Sequence, residues 1–181
     1  MLSTHGLEVD CFESPTSFLA QGRLDKVGCL LLDVQMPEMT GLELQRALAS
    51  RPSCLPIIFL TAHGTIPMTV EAMKNGAFEF LEKPVSEEVL LEAIGRALER
   101  SQAMHDKASA VAALENRFST LTPREREVFT QVVIGRLNKQ IAADLGIAEK
   151  TVKVHRSRVM EKLQAASVAD LVRCQQALSS T

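Results

Sequence analysis

Three short apolar runs punctuate the first half of the chain. Leu30-Leu31-Leu32 stops at Asp33, Ile57-Ile58-Phe59-Leu60 stops at Thr61, and Phe78-Glu79-Phe80-Leu81 leads to Lys83. Helical patterns separate them, so they read as buried parallel strands in an α/β sheet. Ligands bind such sheets at the carboxyl ends of the strands. An acid, a hydroxyl and an ammonium at that rim can form one site: an oxygen nucleophile, a donor and a counter-charge for an anion.

The remaining pattern fills in the alternation. Leu7, Val9 and Cys11 alternate with Glu8 and Asp10, which predicts a strand with one wet face. Ser14-Pro15-Thr16 opens a short helix, and Met36 to Gly41 is a loop before a helix carrying Leu42, Leu44 and Leu48. A helix around 67–75 stops at Gly76, and Ser86 caps another through about residue 103, with Glu87 and Glu88 favourable in its first turn. This order implies a doubly wound parallel sheet. Residues 104–118 are Ala-rich and free of Gly and Pro, so they predict a helical linker, with Met104, Val111, Leu114 and Phe118 roughly on one stripe. From Leu121 the pattern is helical only: Thr122, Pro123 and Glu125 form a capping-box start, and helices are expected near 123–134, 138–145, 149–163 and 167–178.

Composition narrows the class. The chain has 181 residues, 46% hydrophobic and 23% charged, as expected of a globular protein of one large or two small domains. No run reaches the roughly 18 apolar residues of a membrane helix, and the start lacks a signal peptide pattern, so a cytoplasmic location is the expectation. Cys11, Cys29, Cys54 and Cys174 show no CxxC pairing and read as buried reduced thiols. Charge is uneven. Residues 1–104 hold 14 acids and 8 bases, a balance of −6, whereas residues 105–181 hold 8 acids and 12 bases, a balance of +4. The second part is the one suited to a polyanion.

Leu30-Leu31-Leu32-Asp33-Val34-Gln35-Met36-Pro37-Glu38-Met39-Thr40-Gly41-Leu42-Glu43 resembles the phosphoacceptor segment of a two-component receiver domain. Thr61-Ala62-His63 and Lys83-Pro84 match that family's other signatures in order. The resemblance implies a flavodoxin-like parallel sheet in which Asp33 takes a phosphoryl group from a sensor histidine kinase. It further implies that Thr61 binds a phosphoryl oxygen, Lys83 pairs with the phosphate and Phe80 is the switch aromatic. Family members commonly have a cis bond before the proline matching Pro84. The chemistry is consistent: a carboxylate can attack phosphorus, and the transfer depends on positioning and charge neutralisation.

The resemblance departs at the start. A receiver begins with a central strand ending in a pair of acids, and the 32 residues before Asp33 contain no such strand. The fold class is therefore a receiver with its first strand missing, followed by an all-α helix-turn-helix domain. Magnesium, which the family implies, wants six oxygen ligands; only Asp33 and the Gln35 carbonyl match the family's set, so weak binding is expected. A truncated form of an ordinary regulator and a genuine short variant both fit, and the otherwise whole motifs favour truncation. Poor phosphorylation of this chain is the expectation, along with a gap in the sheet between 7–12 and 29–33.

Leu121 to Val128, Asn138 to Ile147 and Glu149 to Arg156 closely resemble a LuxR-type helix-turn-helix domain. Together with the receiver this looks like the FixJ/NarL-like class, and Lys83-Pro84-Val85 leans toward FixJ. Ile141, Ala142 and Leu145 form an inward face, Gly146 permits the turn, and Val152, Val159 and Leu163 sit on the buried side of the next helix. Lys150, Lys153, His155, Arg156, Arg158 and Lys162 populate its other sides. A helix fits the major groove of double-stranded DNA. The resemblance puts Lys153 and Val154 at base-contacting positions with Ser157 one turn later, and gives Lys139, Lys150, Thr151 and Arg156 to phosphates.

The expected organisation is 1–103 receiver, 104–118 linker and 119–181 DNA-binding domain. The expected function is a DNA-binding transcriptional response regulator, homodimeric when active and working with RNA polymerase, not an enzyme and without a membrane partner. The alternative is a constitutive DNA binder independent of phosphorylation. A phosphohydrolase of the dehalogenase fold also uses a strand-end aspartate, but needs a second acid where this chain has Gln35.

Overall fold

The structure, a computed structural model, describes residues 2–51, 53 and 55–179. It divides into two compact units, Met1–Asp106 and Lys107–Thr181. In the first, β1 (Leu30–Leu32), β2 (Ile57–Thr61) and β3 (Glu79–Glu82) form a parallel sheet in the order β1-β2-β3. Register pairs Leu32 with Phe59 and Thr61 with Glu82, so all three strands present their carboxyl ends to one rim. Helices α1 (Pro15–Gln21), α2 (Gly41–Ala49) and α3 (Ile66–Lys74) intervene, and α4 (Glu87–Ser119) follows.

Local chemistry explains these boundaries. Ser14, Thr40 and Thr65 cap α1, α2 and α3, and the Thr40–Glu43 pair forms a full capping box. Gly76, at φ +87°, sits just past α3, where the left-handed region costs glycine little. Two cores cover the sheet. Leu32, Val34, Leu44, Leu48 and Phe59 pack with α2 and α3, while Ile58 meets Leu90, Ala93, Ile94 and Ala97 of α4.

The strand predicted at residues 7–11 does not form. A short 3-10 turn covers Leu2–His5, and residues 7–11 are irregular. Alternation supplies two faces but no ladder, and a strand needs a neighbour for its backbone groups; among the described residues β1 pairs with β2 alone. Cys11 is likewise exposed rather than buried. Cys29 and Cys174 are partly covered, and that burial raises both thiols. Cys54 lies outside the described residues.

The linker segment continues α4 without a break. Of its stripe, Leu114 is buried, Val111 and Phe118 are half-buried and Met104 is exposed. In the second unit, α5 (Pro123–Val133), α6 (Asn138–Leu145), α7 (Glu149–Lys162) and α8 (Val168–Ser179) enclose Val128, Phe129, Ile141, Val152, Val159, Leu163 and Leu171. Gly146, at φ +64°, ends α6 and turns the chain toward α7.

One ion pair is built into this unit. The Glu125 side chain is only 2% exposed, and its Oε2 accepts Lys162 Nζ at 2.6 Å and the Thr122 N–H at 2.9 Å. Lys162 also donates to the Thr120 carbonyl, so it joins the end of α7 to the start of α5. It does not belong to the solvated basic face assigned to it by sequence. Burial opposes the Glu125 charge, but the bonds from Lys162 and Thr122 outweigh it and hold the carboxyl below its ordinary 4.5. This stabilisation is therefore present above that value and is lost as pH falls through the lower folded value. Lys162→Met should destabilise the second unit by about 2–3 kcal/mol near neutral pH, because it strands a buried carboxylate. In urea melts of the whole protein, the deficit should shrink as pH falls, because the unpaired, buried Glu125 of the variant takes up a proton more readily than the paired one. A deficit unchanged as pH falls would contradict the assignment.

Candidate functional site

Asp33 follows β1, Thr61 ends β2 and Lys83 follows β3, so the parallel register alone brings them to one rim. Lys83 ties them together. Its backbone N–H donates to the Thr61 carbonyl at 2.7 Å, and its Nζ donates to Asp33 Oδ2 at 2.8 Å. The Lys83-Pro84 bond is cis. Asp33 Oδ1 accepts the Gln35 N–H at 3.0 Å. Partial burial works against the Asp33 charge, but hydrogen bonds from Lys83 and Gln35, the lysine's charge and a bond from Val34 hold the carboxyl below the usual aspartate range. The result is an ionised, oriented oxygen beside a cation, both partly exposed to solvent.

The Asp33 loop is braced from behind. The Gly41 N–H donates to the Val34 carbonyl at 3.0 Å, and a Cβ at Gly41 would lie 2.3 Å from the Asp33 carbonyl oxygen. Only glycine fits that approach. Thr61 is almost wholly buried, and its hydroxyl accepts the His63 N–H at 3.3 Å. Phe80 is half-buried, 5.9 Å from the Phe59 ring, and borders a shallow groove with Gly64, Ile66, Val70 and Glu82. A Cβ at Gly64 would come within 3.1 Å of the Phe80 ring. The close approaches at Gly41 and Gly64 had no sequence signal beyond the residue type.

The donor set does not suit magnesium. Both Asp33 oxygens are engaged as described, Gln35 adds a carbonyl at most, and among the described residues no group of three or more His, Cys, Asp or Glu could hold a metal ion. A six-oxygen octahedron needs more hard ligands than this.

The second unit presents α7 as its basic element. Lys150, Thr151, Lys153, Ser157 and Arg158 are exposed, as is Lys139 on α6. Val154 on α7 is 44% exposed. Lys153 Nζ lies 3.6 Å from Glu149 one turn back, a weak surface pairing that a phosphate could displace. Two residues stand differently from the rest. Arg156 is half-buried and donates to Asn138 Oδ1 at 3.0 Å, bracing α7 against the start of α6. His155 is half-buried, with a covered Nδ1 that has no partner. Arg124, missed by sequence reasoning, donates to the Leu145 carbonyl at 2.6 Å and fixes the end of α6 to α5. No helix among the described residues is long and apolar enough to cross a membrane.

Comparison with known proteins agrees with both units. Residues 1–95 match the response regulator receiver domain, and residues 119–175 match the bacterial regulatory proteins of the luxR family. Nodulation protein W of Bradyrhizobium diazoefficiens is 47% identical over 173 residues, covering 96% of this chain and 76% of that protein. Transcriptional regulatory protein FixJ of Rhizobium meliloti is 43% identical, covering 96% of this chain and 85% of its own length. Among solved structures, response regulator StyR superposes with a TM-score of 0.85 at 47% identity, over 97% of this chain and 88% of that one. Full-length FixJ from B. japonicum gives a TM-score of 0.55 at 35% identity, over 99% and 89% of the two chains. Receiver domains of this family generally bind Mg2+, and regulators of this kind are generally not enzymes. A parallel sheet with an acid, a hydroxyl and an ammonium at one rim, joined to a basic helix-turn-helix, places this chain in the two-component response regulators of the FixJ type: it belongs to that family and is a DNA-binding transcriptional regulator.

Proposed function

We propose that Asp33 is the phosphoacceptor through which a sensor histidine kinase acts on this regulator. The observation that carries the reading is the Lys83–Asp33 contact at 2.8 Å, with the Lys83 N–H bonded to the Thr61 carbonyl at the end of the adjoining strand. In the transfer, an Asp33 oxygen forms a bond to phosphorus as the bond from phosphorus to the donor breaks. Lys83 then follows the new negative charge onto the phosphate, and the Thr61 hydroxyl turns from its His63 contact to a phosphoryl oxygen. Movement of Thr61 leaves space, and Phe80 rotates inward to occupy it; close packing makes this a choice between two arrangements. Residues 1–103 carry the switch, 104–118 the linker and 119–181 the DNA reader.

On the reader, Lys153 and Val154 face base edges with Ser157 following. Lys139, Lys150, Thr151 and Arg156 hold phosphates, and His155 and Arg158 complete the DNA-binding set. Exposed Ile66, Val70 and Met73 on α3 supply an apolar face for a homodimer, and the active dimer works with RNA polymerase. A second reading is favoured by the poor metal donor set: a DNA binder that acts without phosphorylation. Under it Asp33 and Lys83 remain a structural pair.

One experiment separates these readings, and a second tests the DNA-reading residues. Incubation of the protein with acetyl phosphate and magnesium, followed by intact mass, should show slow and partial addition of one phosphoryl group, abolished in Asp33→Asn. Complete absence of addition favours the constitutive reading, and rapid stoichiometric addition contradicts the proposed weakness of the metal site. Lys153→Ala should weaken specific DNA binding by about 1–3 kcal/mol and relax preference at one base position. An unchanged footprint and affinity would remove Lys153 from the base-reading set.

A further inference from the structure

The helix α3 is held very differently at its two ends. At its start, the Thr65 hydroxyl accepts the Met68 N–H at a long 3.4 Å, Thr65 is exposed, and Ile66 is 82% exposed. At its finish, the Ala77 N–H donates to the Ala72 carbonyl and the Gly76 N–H to the Met73 carbonyl, each at 3.0 Å. That pair of bonds closes the helix through Gly76 at φ +87°. The Ala72 carbonyl has a second donor: Nε2 of Gln45, on α2, reaches it at 3.0 Å.

Gln45 is a costly residue in that place. Its side chain is 98% covered, lying in a helix whose other inward positions are Leu42, Leu44 and Leu48, and its Oε1 is buried with no partner. A methionine would fill the same space without an unmet oxygen. What the amide supplies is the bond to Ala72. Beside it on the surface, Arg46 pairs with Glu71, so α2 grips α3 twice at one end. The start of α2 is in turn fixed at the Asp33 loop through Gly41.

We infer that Gln45 is a positioning residue that makes the carboxyl end of α3 a fixed pivot, so that displacement of α3 is a swing of its first turns, next to Thr61 and Phe80. The use of that swing in signalling rests on the phosphorylation reading above; the pivot itself does not. Rearrangement at the rim then moves the end carrying Ile66 and Val70 and spares the end joined to β3. The buried amide decides which part of the helix is free.

Segment-resolved hydrogen exchange on the whole, unphosphorylated protein tests this. In the wild type, the amides of Met68 and Thr69, which bond to Thr65 at the start of α3, should exchange at least about tenfold faster than those of Asn75 to Ala77, because the start opens while the pivot stays closed. Gln45→Met should bring the two rates within about twofold by speeding the Asn75 to Ala77 amides roughly tenfold, with β2 and α5 unchanged. Arg46→Ala should leave the wild-type difference in place, since an exposed pair contributes little. The pivot is overturned if the wild type shows no difference between the two ends. It is equally overturned if Gln45→Met preserves that difference, or if its effect spreads equally into β2. No phosphoryl donor enters the measurement, so a failure here is distinct from a failure of Asp33 as acceptor.

Discussion

The Lys83 side chain crosses the rim of the sheet to meet Asp33 while its own backbone N–H holds the Thr61 carbonyl. Three residues from three strand ends, 50 positions apart at the extremes, become one constellation through this single residue. The geometry follows from topology. Parallel strands linked by right-handed crossovers must end on one side, and a polar residue placed just after each apolar run lands there without further instruction. The electrostatics follow from the pairing: partial burial works against the Asp33 charge, and the Lys83 ammonium with the Gln35 and Val34 N–H groups outweighs it and holds the carboxyl in the ionised form that can act as a nucleophile.

The reader depends on a comparable device. The buried Glu125 carboxylate is capped by Thr122 and paired with Lys162, which locks the beginning of α5 to the end of α7. With Arg124 on the Leu145 carbonyl and Arg156 on Asn138, charged side chains fix the relative positions of α5, α6 and α7. The exposed bases of α7 are thereby presented on a rigid support, as groove reading requires. Arg156 shows that a basic residue on α7 can serve the scaffold, through its bond to Asn138.

Much of this was legible from residues alone, and the exceptions have a common cause. Helix starts at Ser14 and Thr122 are local signals, and the structure places caps at both. The three strand ends are visible because an apolar run interrupted by one polar residue is a local pattern too. The segment 7–11 failed because alternation specifies faces and says nothing about a partner. Lys162 is indistinguishable in sequence from the other bases of α7, since its partner lies 37 positions earlier. Gln45 stands among Glu43 and Arg46 with nothing in the sequence to mark it, and becomes meaningful only once α2 and α3 are adjacent. The steric need for glycine at 41, and the tight approach to Phe80 at 64, are likewise tertiary. Exposure of Cys11 follows from the missing ladder, because the strand that would have covered it does not form.

Carbon-detected NMR titration of the Asp33 side chain tests the shared rim most directly, in the wild type and in Lys83→Met. The account predicts a midpoint below the ordinary aspartate value of 3.8 in the wild type and a clear rise when the ammonium is removed. An Asp33 carboxyl that titrates at or above that value, and is indifferent to residue 83, would contradict it.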